Sequence, residues 1–281
     1  MSSILEWAGY SLNIGKRTHI MGILNVTPDS FSDGGRYLAK EKAIAHGLEM
    51  AADGADIIDV GGESTRPYSE KVSASEEIDR VVPVIEALKR DVSIPISIDT
   101  RKSEVAKEAL KAGASMVNDV SALTFDPLMA RTVSEAEVPV VLMHMKGSPE
   151  TMQDKPVYDD LLAEIIEYLE SAIKRALDAG IREDLTIVDP GIGFAKTFEH
   201  NLRLINRLSE LRCLNRPILL GTSNKAFIGH LLDKDAAERD TGSMATVAAG
   251  IMRGADIVRV HDVKKARDTV IMIDAVMKEK A

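Results

Sequence analysis

Apolar and polar positions follow one another in a repeating order along this chain. A short apolar segment is followed by a polar residue, and then by a longer segment whose apolar positions recur with the period of a helix. Short apolar runs of this kind are typical of buried strands. The pattern predicts eight strands, which begin near Ile20, Asp56, Ile96, Met116, Val140, Thr186, Ile218 and Ile257.

The longer segments between these strands predict helices. Several of them end on a glycine followed by a small residue, as in Ala112-Gly113-Ala114, which the carboxyl end of a helix favours. The predicted helices span residues 40–53, 75–90, 102–112, 127–135, 158–179, 198–213, 241–253 and 263–278.

Strict alternation of strands and helices predicts parallel strands joined by right-handed crossovers. Eight such units can form an open doubly wound sheet or a closed (β/α)8 barrel, known as a TIM barrel. We favour the barrel because no glycine-rich dinucleotide fingerprint follows the first strand, and because polar residues recur at nearly every strand tip. The predicted fold class is therefore α/β, with a TIM barrel.

The first 18 residues precede this repeat. Residues 4–18 alternate weakly around Gly9 and Gly15, which predicts a small β-hairpin. We expect this hairpin to cover one end of the barrel. Residues 1–281 are thus predicted to form a single domain with an N-terminal hairpin extension at 1–18.

Composition narrows the class of protein. With 45% apolar and 28% charged residues, the chain has the composition of an ordinary globular enzyme. Its net charge of -9 argues against a nucleic-acid surface, and no apolar run approaches the roughly 20 residues that cross a bilayer. The lone Cys213 excludes an intramolecular disulfide and a cysteine-built zinc site. We expect a cytoplasmic protein that binds neither nucleic acid nor membrane.

Polar residues at the strand tips predict the site. In a (β/α)8 barrel the carboxyl ends of the strands face one common space. One such residue alone often caps a helix or forms a structural hydrogen bond, but so many together indicate an active site. The tip residues are Asn25, Asp59, Glu63, Asp99, Asn118, Asp119, His144, Asp189, Ser223, Asn224, Lys225, Arg259 and His261.

The tip residues divide by their chemistry. Asp99, Asn118 and Asp189 suit a flat heterocycle rich in N–H groups, because a carboxylate accepts two parallel hydrogen bonds. The cations suit a phosphate or diphosphate; they are Lys225, Arg259, His261 and Arg66. The Asn and Asp oxygens around Asn25 fit a hard, phosphate-bound Mg²⁺ better than zinc.

Seven segments carry a family resemblance. They are, in chain order, MGILNVTPDSFSDGG, DIIDVGGESTRP, PISIDT, VNDVS, MHMKGSPETMQ, DPGIGFAKT and IVRVHDV. In this order they resemble the dihydropteroate synthases of folate biosynthesis, which join p-aminobenzoate to a dihydropterin methyl diphosphate and release pyrophosphate. The resemblance implies a (β/α)8 barrel, Mg²⁺ as cofactor, a homodimer and inhibition by sulfonamides.

The resemblance also implies roles for individual residues. The pterin would lie on Asp99, Asn118, Asp189 and Lys225, with Met143, Met145 and Phe194 as apolar walls that could also be simple core. The diphosphate would lie on Asn25, Arg259 and His261, with Mg²⁺ at Asn25. The arylamine pocket would comprise Phe31, Thr65, Arg66, Pro67 and Ala226, and the catalytic residues would be Asp33, Arg66, Lys225 and Arg259.

The chain departs from the family pattern beside Lys225. Where the family usually has Arg-Lys-Ser, this chain has Asn224-Lys225-Ala226, and Tyr68 stands where glycine is common. Because Ala226 has no side-chain donor, these changes bear on recognition of the arylamine carboxylate. They leave the predicted pterin and diphosphate sites unchanged.

Two other functions fit part of the pattern. A pterin-dependent methyltransferase that hands a methyl group to a corrinoid shares the barrel and the pterin pocket, but it needs no diphosphate site, so TPDSFSDGG and Arg259-Val260-His261 argue against it. A non-catalytic pterin-binding protein would tolerate Asn224 and Ala226, although the retained Lys225 argues against that function.

Overall fold

The computed structural model describes residues 3–26, 35–64, 72–147 and 156–280. Its described strands form two sheets, a two-stranded antiparallel hairpin and an eight-stranded parallel sheet. The strands are β1 (Ser3–Trp7), β2 (Tyr10–Ile14), β3 (His19–Asn25), β4 (Ile57–Gly61), β5 (Ile96–Asp99), β6 (Met116–Asp119), β7 (Val140–Met143), β8 (Thr186–Asp189), β9 (Leu219–Leu220) and β10 (Ile257–Val260).

The parallel sheet closes on itself as a barrel. Its strands follow the order β8, β7, β6, β5, β4, β3, β10 and β9. A parallel bridge between Val188 and Ile218 joins β8 to the residue just before β9, and the Val188 N–H donates to the Pro217 carbonyl over 3.0 Å. The predicted (β/α)8 barrel and its eight strand positions are therefore confirmed.

Helices surround the barrel in the expected alternation. They are α1 (Gly35–Ala52), α2 (Ala74–Asp91), α3 (Ser103–Ala112), α4 (Met129–Ala136), α5 (Leu161–Asp178), α6 (Phe198–Asn206), α7 (Ala226–Leu232), α8 (Asp240–Met252) and α9 (Val263–Lys278). No helix in the described ranges is both long enough and apolar enough to cross a membrane.

Two helical details differ from the sequence prediction. The single helix predicted over 198–213 ends at Asn206, and a 3₁₀ helix follows over Leu208–Leu214. Helix α7 was not predicted, because its seven residues offer barely two turns of periodic pattern. It matters for function because Lys225 is its N-terminal cap residue.

The N-terminal hairpin is present and covers the amino-terminal end of the barrel. The Trp7 indole N–H donates to the carbonyl of Ser115, immediately before β6, over 2.6 Å. Lys89, at the end of α2, donates to the Tyr10 hydroxyl over 2.6 Å. The opposite end of the barrel, where the strands reach their carboxyl termini, is therefore left for the site.

Strands β3 and β4 are buried almost to their tips. All five residues of β4 are buried, and the first six of β3 are buried before the partly exposed Asn25. Gly22 in β3 lets two helices pack closely on the sheet, since a Cβ there would lie 2.9 Å from Met50 of α1 and 3.0 Å from Val263 of α9. This tight packing fixes the strand tips relative to one another.

Candidate active site

An ionic cluster lies towards the carboxyl ends of β10, β4, β5 and β6, with β3 between β10 and β4 in the sheet. Arg259 of β10 donates from Nε to Asp59 Oδ2 of β4 and from Nη2 to Asp99 Oδ2 of β5, each over 2.6 Å. Asn118 of β6 donates from Nδ2 to the same Asp59 oxygen over 3.0 Å. Arg259 thus joins two carboxylates from the adjacent strands β4 and β5.

Two carboxylate oxygens in this cluster have no hydrogen-bond partner in the described ranges of the chain. Asp59 Oδ1 and Asp99 Oδ1 are buried and accept no hydrogen bond from any residue that the structure describes. A buried acceptor left unpaired is costly, so such atoms commonly mark a site that a ligand completes. The two oxygens present the cluster as an acceptor surface for N–H donors.

The cluster shifts the acidity of its members. Burial raises the pKa of Asp99 to about 7, and the negative charge of Asp59 adds to this, although the charge of Arg259 opposes it. For Arg259, burial acts to lower the pKa, but the charges of Asp59 and Asp99 outweigh it and raise the pKa above its usual value. Arg259 therefore stays a cation, while Asp99 can change its charge near neutral pH.

Asp189 ends β8 and begins a tight loop. Its Oδ1 accepts the Gly191 N–H over 2.7 Å, and burial raises the pKa of its carboxyl group. Gly191 has φ +71°, and a Cβ there would lie 2.0 Å from the His144 carbonyl oxygen. Only glycine fits this position, so the loop is locked against the end of β7.

An apolar cluster separate from the main core lies beside Asp189. It comprises Val120, Met143, Met145, Phe194 and Ala195. The ammonium group of Lys225 lies 4.4 Å from the centre of the Phe194 ring, within the range of a cation–π interaction. The structure therefore brings Met143, Met145 and Phe194 together in a cluster separate from the main core, with Lys225 against Phe194.

Asn25 and Asp99 approach each other across Gly61 on the rim. A Cβ built on Gly61 would lie 3.6 Å from Asp99 Cβ and 3.9 Å from Asn25 Oδ1. A side chain at position 61 would therefore fill the space between them. After β9 and β10, the Ser223 hydroxyl lies 2.9 Å from His261 Nδ1 and accepts the backbone N–H of His261 over 3.3 Å.

The departure at Asn224 has a local structural basis. Asn224 has φ +57°, a left-handed conformation in which asparagine is enriched. Ser243 Oγ accepts its N–H over 3.0 Å, and Arg239 Nη1 donates to its carbonyl over 3.1 Å. This turn orients Lys225, and Ala226 then begins α7.

Five of the predicted site residues lie outside the described residues. They are Phe31, Asp33, Thr65, Arg66 and Pro67. Their assignments therefore stay predictions, as does Tyr68.

The prediction missed two features of the site. Asp59 was noted as a strand-tip residue but was not assigned a role, and it proves to be the residue that Arg259 and Asn118 share. Lys196 was not noted at all, although it is 2% exposed and contacts His144. The available signal was its place in the loop DPGIGFAKT, a polar segment that follows a strand tip.

Comparison with known proteins assigns the class. The fold and the acceptor-lined site are those of a barrel enzyme that binds a small heterocycle, and the family model described as pterin binding enzyme matches residues 21–261. The chain is 50% identical over 267 residues to the dihydropteroate synthase of Bacillus subtilis strain 168, covering 95% of this chain and 91% of that protein.

Two solved structures agree with this relationship. The dihydropteroate synthase of Clostridium difficile in the presence of pteroic acid has a TM-score of 0.90 and 47% identity, covering 94% of this chain and 98% of that chain. The Yersinia pestis dihydropteroate synthase with a sulfonamide drug has a TM-score of 0.93 and 42% identity, covering 99% and 100%. The chain belongs to the dihydropteroate synthases, which are transferases of folate biosynthesis.

Proposed function

We propose that the ionic cluster binds the pterin ring in the dihydropteroate synthase reaction. The observation that carries this assignment is the pair of unpartnered buried oxygens, Asp59 Oδ1 and Asp99 Oδ1. A pterin ring presents several N–H donors in one plane, which carboxylates at fixed positions accept. Asp189, Asn118 and Lys225 complete this subsite, with Met143, Met145 and Phe194 against the ring faces.

The ion pair between Arg259 and Asp99 is compatible with a bound pterin. Arg259 donates only to Oδ2 of Asp99. Oδ1 can therefore accept an N–H group of the pterin ring while the ion pair stays in place. The arginine also favours the ionised form of Asp99, which is the form that accepts. Arg259 thus supports the pterin subsite in addition to its proposed role with the leaving group.

The leaving diphosphate is assigned to the rim of the site. Arg259 is a permanent cation there, and Asn25 and His261 are tip residues of β3 and of the segment after β10. In an acidic chain a few donors focused at one point can hold an anion. We assign Asn25, Arg259 and His261 to the diphosphate, and Lys225 and Arg259 as catalytic residues among those described.

Mg²⁺ is the proposed cofactor, and the donor set at Asn25 fits it. The amide oxygen of Asn25 is a hard ligand at the strand tip, and Mg²⁺ is commonly bound by one or two protein oxygens together with substrate phosphates and water. When bound, the ion would neutralise charge that develops on the departing diphosphate. Asn25 would orient the diphosphate through its amide group.

The reaction needs little acid–base assistance. The aryl amine nitrogen attacks the pterin CH₂ carbon, and the bond from that carbon to the diphosphate oxygen breaks with its electron pair leaving on the oxygen. The amine then loses a proton to solvent. Arg259 and Lys225 stabilise the separating negative charge. The predicted arylamine residues Phe31, Thr65, Arg66, Pro67 and Ala226, with Asp33, are assigned by resemblance.

Partners follow from the same assignment. We propose that sulfonamides inhibit this protein as mimics of p-aminobenzoate, supported by the Yersinia pestis complex.

We also propose a cytoplasmic homodimer. Its support is a group of exposed apolar side chains on the adjacent helices α8 and α9, namely Met252, Ile271, Met272 and Val276. Light scattering on the protein and on Met272→Glu tests the dimer, which the glutamate should dissociate.

A pyrophosphate-release assay tests the proposed function. Purified protein with Mg²⁺ and dihydropterin methyl diphosphate should release pyrophosphate only when p-aminobenzoate is added, and dihydropteroate should form in equal amount. Release that does not depend on p-aminobenzoate, or pterin binding without any release, would favour a non-catalytic pterin-binding protein.

A further inference from the structure

Lys196 is a buried lysine that the reaction as described does not use. It lies in the loop between β8 and α6 and is 2% exposed. Its Nζ lies 2.9 Å from His144 Nδ1 and donates to the Phe194 carbonyl over 2.9 Å. Among the residues that the structure describes, no carboxylate lies within ion-pair distance of Nζ.

This environment is unfavourable for an ammonium group. Burial lowers the pKa of Lys196 to about 7, against the opposing charge of Asp189. A lysine that served only to fill space would be replaced at lower cost by an apolar side chain such as methionine. The two hydrogen bonds made by Nζ therefore indicate what the residue does.

His144 is held by Lys196 in one protonation state. When Lys196 carries its proton, Nζ only donates, so in that state Nδ1 of His144 accepts and the proton of His144 is on Nε2. Burial, and next the charge of Lys196, lower the pKa of His144 far below its usual range, which keeps the imidazole neutral. The edge of the Tyr168 ring packs on it with the ring centres 4.8 Å apart.

The contact between Lys196 and His144 joins two strand tips. The His144 N–H donates to the Asp189 carbonyl over 2.9 Å, and the His144 carbonyl packs on Gly191. Lys196 adds a side-chain link from the far end of the same loop. The end of β7 and the loop after β8 are therefore joined at three points.

This junction stands directly behind the proposed pterin subsite. Met143 and Met145 flank His144 in sequence, and Phe194 provides the carbonyl to which Lys196 donates. The charge of Lys196, with those of Lys225 and Arg259, also favours the ionised form of Asp189. The amine of Lys196 therefore holds Phe194 of the apolar cluster and favours the ionised form of Asp189, and both residues belong to the proposed pterin subsite.

We propose that Lys196 is a positioning residue for pterin recognition, which acts through His144, Phe194 and Asp189 without touching the substrate. The proposal rests on the assignment of the pterin to Asp189 and the apolar cluster. It predicts that loss of Lys196 impairs the pterin substrate selectively, because the junction lies behind the pterin subsite and not behind the rim.

The substitution Lys196→Met removes the amine and keeps the volume. We expect the affinity for hydroxymethylpterin to fall about tenfold or more in calorimetry, and the KM for the pterin diphosphate to rise similarly, while the KM for p-aminobenzoate stays within about twofold. Lys146→Met is the matched control. Lys146 lies two positions beyond His144 but bonds Glu164 and the Val157 carbonyl, so its variant should bind pterin as the parent does.

A double-mutant cycle separates positioning from general stability. His144→Phe keeps a ring against Tyr168 and removes Nδ1, so the double variant with Lys196→Met has no Nδ1 left without its partner, whereas the Phe194 carbonyl loses its donor in the single and the double variant alike. We expect the double variant to bind hydroxymethylpterin at least as well as Lys196→Met alone. If Lys196→Met does not fold, as judged by its circular dichroism, the same measurements are made on Lys196→Gln and His144→Phe. They are the affinity for hydroxymethylpterin and the KM values for the pterin diphosphate and for p-aminobenzoate.

Two results would overturn the proposal. One is pterin affinity within twofold of the parent in a folded Lys196 variant, and the other is an equal loss for both substrates. The variant Asp189→Asn is measured in parallel. If it too leaves pterin affinity unchanged, the proposed pterin subsite fails; if it weakens pterin binding and Lys196→Met does not, the proposed subsite stands and only the role of Lys196 is wrong.

Discussion

Arg259 and Asp99 form an ion pair inside the barrel, with Nη2 and Oδ2 separated by 2.6 Å, although they come from β10 and β5. The strands between them in the sheet are β3 and β4, and Asp59 of β4 binds the same guanidinium. The pair leaves the second oxygen of Asp99 without a partner in the described part of the chain. A residue proposed to hold the leaving group therefore also contacts two of the proposed pterin acceptors.

Replacing Arg259 tests both of these roles. In Arg259→Ala we expect the affinity for pyrophosphate with Mg²⁺ to fall at least tenfold in calorimetry, because the main permanent cation of the site is lost. Stability should fall as well, by about 3 to 5 kcal/mol, because two buried carboxylates lose their partner.

Arg212→Ala is the control for the Arg259 variant. Arg212 pairs with Asp256 at the other end of the barrel, over 2.9 Å. The Arg212→Ala variant should be less stable than the parent but should bind pyrophosphate as tightly as the parent does. Parent-like pyrophosphate binding by Arg259→Ala would refute the assignment of the diphosphate.

The Asp189 carboxylate is expected to accept pterin N–H groups. Asp189→Asn turns one acceptor into a donor that faces a donor, and a buried group left unpaired costs about 1 to 3 kcal/mol. Hydroxymethylpterin affinity should therefore fall about tenfold in calorimetry. Asp256→Asn, a change to a buried carboxylate at the opposite end of the barrel, should leave pterin affinity unchanged. A folded Asp189→Asn protein with parent affinity would place the pterin elsewhere.

Pterin binding should depend on pH through Asp99. Burial raises the pKa of this group to about 7, so the carboxyl group is protonated below that pH and becomes a worse acceptor. Affinity for hydroxymethylpterin should fall as the pH is lowered from about 8 to about 6. Titrations at several pH values check this, and Asp99→Asn should bind weakly at every pH. An affinity in the parent that rises towards acid pH would contradict the assignment.

The residues beside Lys225 should alter arylamine binding. Ala226 lacks the donor that serine provides in the family, and one hydrogen bond to a charged group is worth roughly 1.5 to 3 kcal/mol. We expect a raised KM for p-aminobenzoate and reduced sulfonamide sensitivity, both restored towards family behaviour by Ala226→Ser with Asn224→Arg. Titration of parent and double variant with p-aminobenzoate and one sulfonamide measures both constants.

Of the two substitutions in that double variant, Asn224→Arg is unfavourable for the backbone conformation. Arginine adopts the left-handed conformation of position 224, with φ +57°, less readily than asparagine does. Ala226→Ser alone is therefore the matched control, since it restores the hydroxyl without changing the turn. If neither variant changes the KM for p-aminobenzoate or the sensitivity to the sulfonamide, other residues hold the arylamine carboxylate.

The sequence alone predicted the barrel well. Strand positions such as β7 were predictable because a fully buried parallel strand reads as an unbroken apolar run that ends at a polar tip, here Val140–Met143 followed by His144. Helix α7 and the split after Asn206 were not predictable, since short helices leave too few turns for a periodic signal.

The sequence indicated which polar residues end the strands, but not which of them contact one another. Asp99, Asn118, Asp189 and Arg259 were recognisable as tip residues, because the barrel directs all its strand ends to one space. Which of them bond to one another depends on register and side-chain reach, so neither the sharing of Asp59 between Arg259 and Asn118 nor the contact of Lys196 with His144 could be read from the sequence.

A crystal structure with hydroxymethylpterin bound tests the central assignment most directly. We predict that the ring lies against Phe194 and Met145, that its N–H groups lie within hydrogen-bond distance of Asp99 Oδ1 and of Asp189, and that Arg259 still bonds Asp59. A ring bound outside this cluster, with Asp59 Oδ1 and Asp99 Oδ1 still unpartnered, would contradict the assignment.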